Sequence, residues 1–376
     1  VPFHAPIVQA AQAQNIPLTN DSLEFVRRCP APTVGITGSA GKTTTTTLVG
    51  EMCQTAGLTT YIGGNIRQPL ISDLSEIQAD DTVIQELSSF QLELWDQSPE
   101  IAAVLNITPN HLDRHKTMVA YSGAKANILR YQTAADSAIL CADDMGSMNL
   151  APLVNGRLRT FGLESVVDDG AFVRNGEILL RDGTHETAVC AVNATSLRGQ
   201  HNRLNIVGAC AIADTIGVPA GGMAETIATF AGVEHRLELV RTIKGVQYVN
   251  DSIATAPERA LAALAAFDEP LILLAGGRDK KMEWDDWTNI VIERTKSVIL
   301  FGALAEMLEE RLLSARDGVG KPAVVRVETV HQAVETAAQI AQSGDIVLLS
   351  PGGTSYDAFK DFVERGELFR AVVNNL

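Results

Sequence analysis

The stretch GITGSAGKTTTTTL, Gly35–Leu48, sets three glycines, one lysine and five consecutive threonines behind the apolar lead-in PTV. Pro32–Thr37 reads as a short buried strand. Lys42 onward can read as a helix, although five β-branched residues in a row are poor helix formers. A glycine-rich turn between strand and helix leaves backbone N–H groups pointing outward at the positive end of the helix, which is an anion site. Lys42 adds a mobile cation, and Thr43 offers a hydroxyl to a phosphate-bound Mg²⁺. The pattern G-x-x-x-x-G-K-[ST] is not met, since its first glycine would fall on Ile36. Gly38, Gly41, Lys42 and Thr43 fit a shorter variant. An ordinary glycine turn is the plain alternative; strand before and helix after favour nucleotide binding.

Other polar clusters follow strand-like runs, where open α/β sheets place their sites. Glu86 ends DTVIQE and opens ELSSFQLE. His111 and Asp113 follow VLNIT, Asp251 and Ser252 follow VQYVN, Lys280 follows LILLAGGRD, and Ser355 follows DIVLLSPGGT. Five clusters at one kind of position point to a shared cleft. His111 with Glu86 could hold a metal, or His111 could be a satisfied loop histidine.

The elements that must position these residues alternate along the chain. TTYIGG, DTVIQEL, AAVLNI and SAILCA read as strands with helices between several of them, the signature of a mostly parallel sheet. Alternation around Asn175-Gly176 and Asp182-Gly183 predicts hairpins. Two helical segments run from about Asn202 to Ala231. VQYVND, LILLAGG, SVILFG, VVRV and DIVLLS form a second strand set, with a boundary near Val233–Arg236. At the start, Ala5–Gln14 reads as a helix and Ile16–Thr19 as a short strand, a pair that cannot bury its apolar face alone.

Composition narrows the class. The 376 residues allow two or three domains, and 46% apolar content allows sizeable cores. A net charge of −15 argues against a nucleic-acid-binding surface. No apolar run approaches the ~18 residues of a membrane span, and no signal peptide is visible. Cys29, Cys53, Cys141, Cys190 and Cys210 lack a C-x-x-C pair and read as reduced thiols of a cytosolic protein.

TGSAGKTT, ELSSFQLE, NITPNHLDRH, LRGQHNRLN, GVEHRLE, VNDSIAT and SPGGTSYDAFKDFVERGE occur in this order from about Asp21 to the C-terminus. This ordered set resembles the Mur ligases, ATP-dependent amide-bond ligases of peptidoglycan synthesis. ELSSFQLE and the closing motif are most similar to the branch that adds D-glutamate to UDP-N-acetylmuramoyl-L-alanine. The resemblance implies an α/β protein: a central P-loop ATPase domain with a mostly parallel sheet, then a C-terminal Rossmann-like domain for the amino acid. Residues 21–235 and 236–376 would be these two. Residues 1–20 would be the remnant of a uridine-nucleotide domain otherwise lacking. It further implies a cytoplasmic, ADP-forming monomer that makes an acyl phosphate before the amine attacks.

The resemblance also carries site roles. Gly38, Ser39, Ala40, Gly41, Lys42, Thr43 and Thr44 would cradle the ATP phosphates, with Asn205, Arg236 and Asp251 as further ATP contacts. Thr43 would hold one Mg²⁺; Glu86 and His111 would hold a second. Lys125 matches a lysine that the family uses as a carbamate orienting Mg²⁺; from the sequence alone it reads as a solvated helix lysine. Lys42, His111 and Lys125 would carry catalysis. Asn65 would face the acyl acceptor, and Thr255, Lys280, Ser355 and the backbone around Phe362 the D-glutamate. Ser355 could equally be a helix N-cap before YDAFKDF. Three departures stand out: Ala40 replaces an asparagine, Ile253 replaces a lysine for which Lys281 could substitute, and SPGGTS replaces SPACAS. They leave two alternatives, a sister ligase for another amino acid and a non-catalytic ATP-binding relative.

Overall fold

A computed structural model of the chain describes residues 5–66, 69–110, 112–195, 197–280, 282–315 and 322–376. They form two compact units, Val1–Phe230 and Ala231–Leu376.

The first unit is built on nine strands: β1 (Thr33–Thr37), β2 (Thr60–Gly64), β3 (Thr82–Glu86), β4 (Ile101–Val104), β5 (Ser137–Cys141), β6 (Arg157–Gly162), β7 (Asp169–Arg174), β8 (Glu177–Asp182) and β9 (His185–Ala191). Their order is β2-β3-β1-β4-β5-β6-β7-β8-β9. The pairs from β2 to β7 are parallel, and β7-β8-β9 are antiparallel hairpins. Asn175 and Gly176 both take positive φ (52° and 79°), as a tight two-residue hairpin requires. β1 is buried at all five positions, as expected where helices cover both faces of a parallel sheet. On one face Val83, Leu87, Val104 and Leu140 share a core with Phe25, Trp95, Tyr121 and Leu129.

The helix Lys42–Thr55 forms despite its threonines. Thr44–Thr47 are buried, and it packs on the helices Gln200–Ile216 and Ala220–Thr229. Tertiary burial outweighs a propensity penalty of a few tenths of a kcal/mol per residue.

The N-terminal helix spans Pro6–Ala13, but Ile16–Thr19 is not a strand. Asn15 turns left-handed (φ 56°) and the Ile16 amide donates to Ala11 O, closing the helix end. Pro17 has no amide to give a ladder. β6 was not anticipated, because its arginines mask the strand pattern.

Gln85 lies in β3 between Gly35 and Gly63 in register and lines a small hollow with Ser22, Phe25 and Leu70. It is 1% exposed, and among the described residues neither amide atom finds a partner. Gln85→Met should therefore raise stability by about 1–2 kcal/mol, read as a higher thermal midpoint with turnover unchanged. An unchanged midpoint would mean that an internal water already satisfies the amide.

The second unit holds β10 (Glu238–Ile243), β11 (Val246–Asn250), β12 (Leu271–Gly276), β13 (Thr295–Phe301), β14 (Ala323–Arg326) and β15 (Ile346–Gly352), ordered β10-β11-β15-β12-β13-β14. Among the described strands of this unit only β10, at the edge, pairs antiparallel. Separate cores lie on the two faces, one with helices Pro257–Leu264, Asp285–Arg294 and Ala305–Ala315, the other with Val330–Ile340 and Phe362–Asn374. β11, β15 and β12 end side by side, and β15, last in the chain, sits between the other two. Such a crossover opens a crevice at the carboxyl ends of the strands.

Candidate functional site

In the first unit the chemistry gathers at the carboxyl ends of β1 and β3. Gly41 turns left-handed (φ 84°) and starts the helix at Lys42. A Cβ on Gly41 would lie 2.2 Å from Asn205 Oδ1, so Asn205, on the helix Gln200–Ile216, abuts the loop. Lys42 Nζ donates to Gly38 O at 2.8 Å. The Thr43 hydroxyl donates to Glu86 Oε2 (2.7 Å) and the Asn65 amide to Glu86 Oε1 (2.9 Å). Gly64 admits this approach, since a Cβ there would strike Glu86 O at 2.4 Å.

Lys125 is not a solvated helix lysine. It is 1% exposed because its face of the helix Met118–Arg130 packs inward. Its Nζ donates to Gly38 O (2.9 Å) and Thr37 Oγ1 (3.2 Å), both neutral oxygens, and stands 4.9 Å from the centre of the Tyr121 ring. Burial, then the charge of Lys42, lowers its pKa to about 6 against an opposing pull from Glu86.

His111 lies outside the described residues. The following short helix, Leu112–His115, is anchored at its end: His115 Nε2 is 2.9 Å from Ser89 Oγ, Nδ1 is 3.2 Å from Glu93 Oε1, and the ring stacks on Phe90. Among the described residues no trio of His, Cys, Asp or Glu could hold a metal. Thr43 and Glu86 still present oxygen donors of the kind hard divalent cations take.

Asn106 is a site residue the sequence reading missed. Its carboxamide clasps the Ala40 peptide in both directions, Ala40 N to Oδ1 (2.8 Å) and Nδ2 to Ala40 O (3.1 Å). The Ser39 amide bonds Asn106 O, and the Ser39 hydroxyl joins Thr108 and the Tyr121 hydroxyl. Only the backbone of residue 40 takes part in this clasp. The sequence reading put Asn106 inside the strand run AAVLNI, whereas the strand ends at Val104 and leaves it in the loop. Asn106→Ala should raise KM for ATP about tenfold, the loss of roughly 1.4 kcal/mol of loop organisation; an unchanged KM would remove the clasp from binding.

In the second unit, Asp251 is 4% exposed and accepts from the Ser350 hydroxyl (2.8 Å) and the Leu237 amide (3.3 Å). Burial pushes its pKa up to about 7. Arg236 is near enough to oppose that shift. Thr255 is half-buried, Lys280 exposed and Ser355 buried; Lys281 lies outside the described residues. Ser355 caps no helix: the helix starts at Phe362, where Asp361 accepts from the Glu364 amide at 2.9 Å. Asp361 and Glu364 make the stronger N-terminal signal. Phe362 O accepts the Ser252 hydroxyl at 2.7 Å.

The profile of the Mur ligase middle domain matches residues 36–213, and that of the Mur ligase glutamate ligase domain matches 235–353. A UDP-N-acetylmuramoylalanine–D-glutamate ligase of Symbiobacterium thermophilum is 41% identical, covering 100% of this chain and 82% of the relative. One from Acetivibrio thermocellus is 39% identical, over 100% and 81%. The expectation that a domain is lacking before Val1 draws no support from these matches. Among solved structures, the MurF ligase of Thermotoga maritima in complex with ADP is similar in fold, with TM-score 0.65 at 19% identity over 94% of this chain and 83% of that one. The UDP-N-acetylmuramate–alanine ligase of the same organism has TM-score 0.65 at 18% identity, over 100% and 84%.

Proposed function

The chain belongs to the Mur ligase family, and on that premise we propose that it joins D-glutamate to UDP-N-acetylmuramoyl-L-alanine: ATP phosphorylates the acceptor carboxylate, leaving ADP, and the amine then displaces phosphate from the acyl phosphate. The observation that carries this reading is the convergence of Lys42, Thr43, Glu86, Asn65 and Lys125 at the carboxyl ends of β1 and β3. Relatives about 40% identical along the whole chain bear that activity in their names. The five cysteines are unpaired, as a reducing compartment leaves them, which supports a cytoplasmic reaction.

The residues present fit a nucleotide triphosphate and its cation. Gly41 brings backbone close without a side chain, the helix presents its N-terminus, and Lys42 adds positive charge. Gly38–Thr44 and Asn205 would hold ATP, with Arg236 and Asp251 as further contacts by the family resemblance. Mg²⁺, when bound, neutralises charge on the phosphates and the attacking carboxylate. Thr43 would serve one cation; Glu86 and His111 would serve a second.

Lys125 suits carbamylation. Its low pKa leaves the amine neutral at physiological pH, and neutral amine adds CO₂ with loss of a proton, R–NH₂ + CO₂ → R–NH–COO⁻ + H⁺. A buried neutral amine becomes an anion, close enough to Glu86 to feel its charge. Asn65 would orient the acceptor, and Thr255, Lys280, Ser355 and the Phe362 backbone the amino acid. A panel of amino acids with ATP and the UDP-linked acceptor tests the reading: D-glutamate should stimulate phosphate release above all others, and stimulation by a different amino acid would overturn it.

A further inference from the structure

Four segments carry the residues given to the amino acid, and in the structure all four meet at one buried cation. Arg365 is 0% exposed. Its Nε donates to Ser252 Oγ (3.1 Å) and its Nη2 to Ser252 O (2.9 Å), on the loop after β11 that leads to Thr255. Its Nη1 donates to Gly353 O (3.1 Å), on the loop after β15 that leads to Ser355. A Cβ on Gly277, in the loop after β12 that leads to Lys280, would come within 2.9 Å of the same Nη1. That loop is itself bridged to Thr354, by Arg278 N to Thr354 O (2.8 Å) and Thr354 N to Arg278 O (3.0 Å). The fourth segment is the helix start at Phe362, one turn from Arg365, whose carbonyl accepts the Ser252 hydroxyl.

We infer that Arg365, with Ser252 relaying to Phe362, is the positioning residue of the amino-acid subsite, fixing the three crevice loops in register and placing a positive charge beneath the carboxylates they receive. The inference rests on the ligase reading for the identity of the amino acid. Its physical basis is independent of that identity. A guanidinium presents five donors in a rigid fork, so one side chain can span several carbonyls that an ammonium cannot reach together. The hydrogen-bond partners of Arg365 are a hydroxyl and two carbonyls, all neutral; Asp357 and Asp251 act on it through charge alone, with no ion pair among the described residues. Burial lowers its pKa only to about 10, and it stays charged at neutral pH.

Arg365→Lys keeps the charge and breaks the fork; Ser252→Ala removes only the relay hydroxyl and is the milder change. The assay separates two steps. Acyl-phosphate formation with ATP and the UDP-linked acceptor, trapped by borohydride reduction, needs no amino acid; steady-state ligation gives KM for the amino acid. Arg365→Lys should raise the amino-acid KM at least tenfold and Ser252→Ala about threefold, with trapped acyl phosphate within twofold of the parent protein. A parallel loss of both steps would reduce Arg365 to a general stabiliser and overturn the inference. So would an unchanged amino-acid KM in a folded variant of either kind. If Arg365→Lys fails to fold, Ser252→Ala decides alone by the same criteria. Should the parent protein respond to an amino acid other than D-glutamate, the ligase assignment falls while the KM shift for that amino acid still tests Arg365.

Discussion

Replacing Lys42 by alanine should lower ATP-dependent turnover about a thousandfold while leaving the fold intact, the scale seen when one preorganised donor is removed from a charged transition state. A carboxylate is a poor nucleophile toward a polyanionic triphosphate. Positive charge must offset both partners as they approach in line. Lys42 stands at the first position of the helix Lys42–Thr55, where its charge adds to the helix N-terminus. Its side chain folds back over the loop to Gly38 O, so the ammonium already lies above the turn that would receive phosphate. The stem is half-buried rather than part of the core, which is why alanine should cost little stability. ADP release measures turnover, and circular dichroism with a thermal melt checks the fold. A folded Lys42→Ala protein with near-normal turnover would remove the loop from phosphate chemistry.

What the sequence made legible and what it hid follows from how local each signal is. β1, β12 and β15 are short apolar runs, buried throughout, and such runs announce themselves. β6 does not: Arg157 and Arg159 break its pattern, and their charges make sense only against Asp169, Asp182 and Asp214. β10 is a half-exposed edge with no buried position, and its sequence ELVRTI carries no continuous apolar run. The glycine-rich turn was readable because its requirements sit within a few consecutive residues. Asn106 and Arg365 were not, since each matters through a backbone atom far away in sequence, at Ala40 and Ser252; Ser252 stood out at a strand end, but its bond to the Phe362 carbonyl did not. Ser355 was open to two readings until the structure put the cap at Asp361. Lys125 shows the limit most sharply: a lysine after Gly123 and Ala124 gives no hint that tertiary packing will strip it of water.

Lys125→Ala should lose activity by at least about a hundredfold and regain part of it with a short carboxylate such as acetate. The side chain's proposed service is an anion, and acetate can supply one in the space that alanine vacates. The same idea fixes a pH dependence. With its pKa near 6 rather than 10.5, the amine is free above pH 6 and protonated below it. CO₂ loading should therefore hold at pH 8 and fall away as pH drops through 6. Stability moves in the matching direction. Between the folded value and the unfolded one, the unfolded chain carries one more proton, so this group makes the fold more stable as pH rises from about 6 toward 10.5 and costs stability at pH 7. Lys125→Met, which fills the space without the amine, should then be inactive yet melt higher than the parent at pH 7 in CO₂-depleted buffer, with the difference shrinking toward pH 10. Isotope-labelled CO₂ trapped on the parent but not on either variant would tie the two effects to one nitrogen. Full activity in a CO₂-depleted parent, or in Lys125→Ala without added carboxylate, would leave Lys125 a buried amine with no part in the reaction.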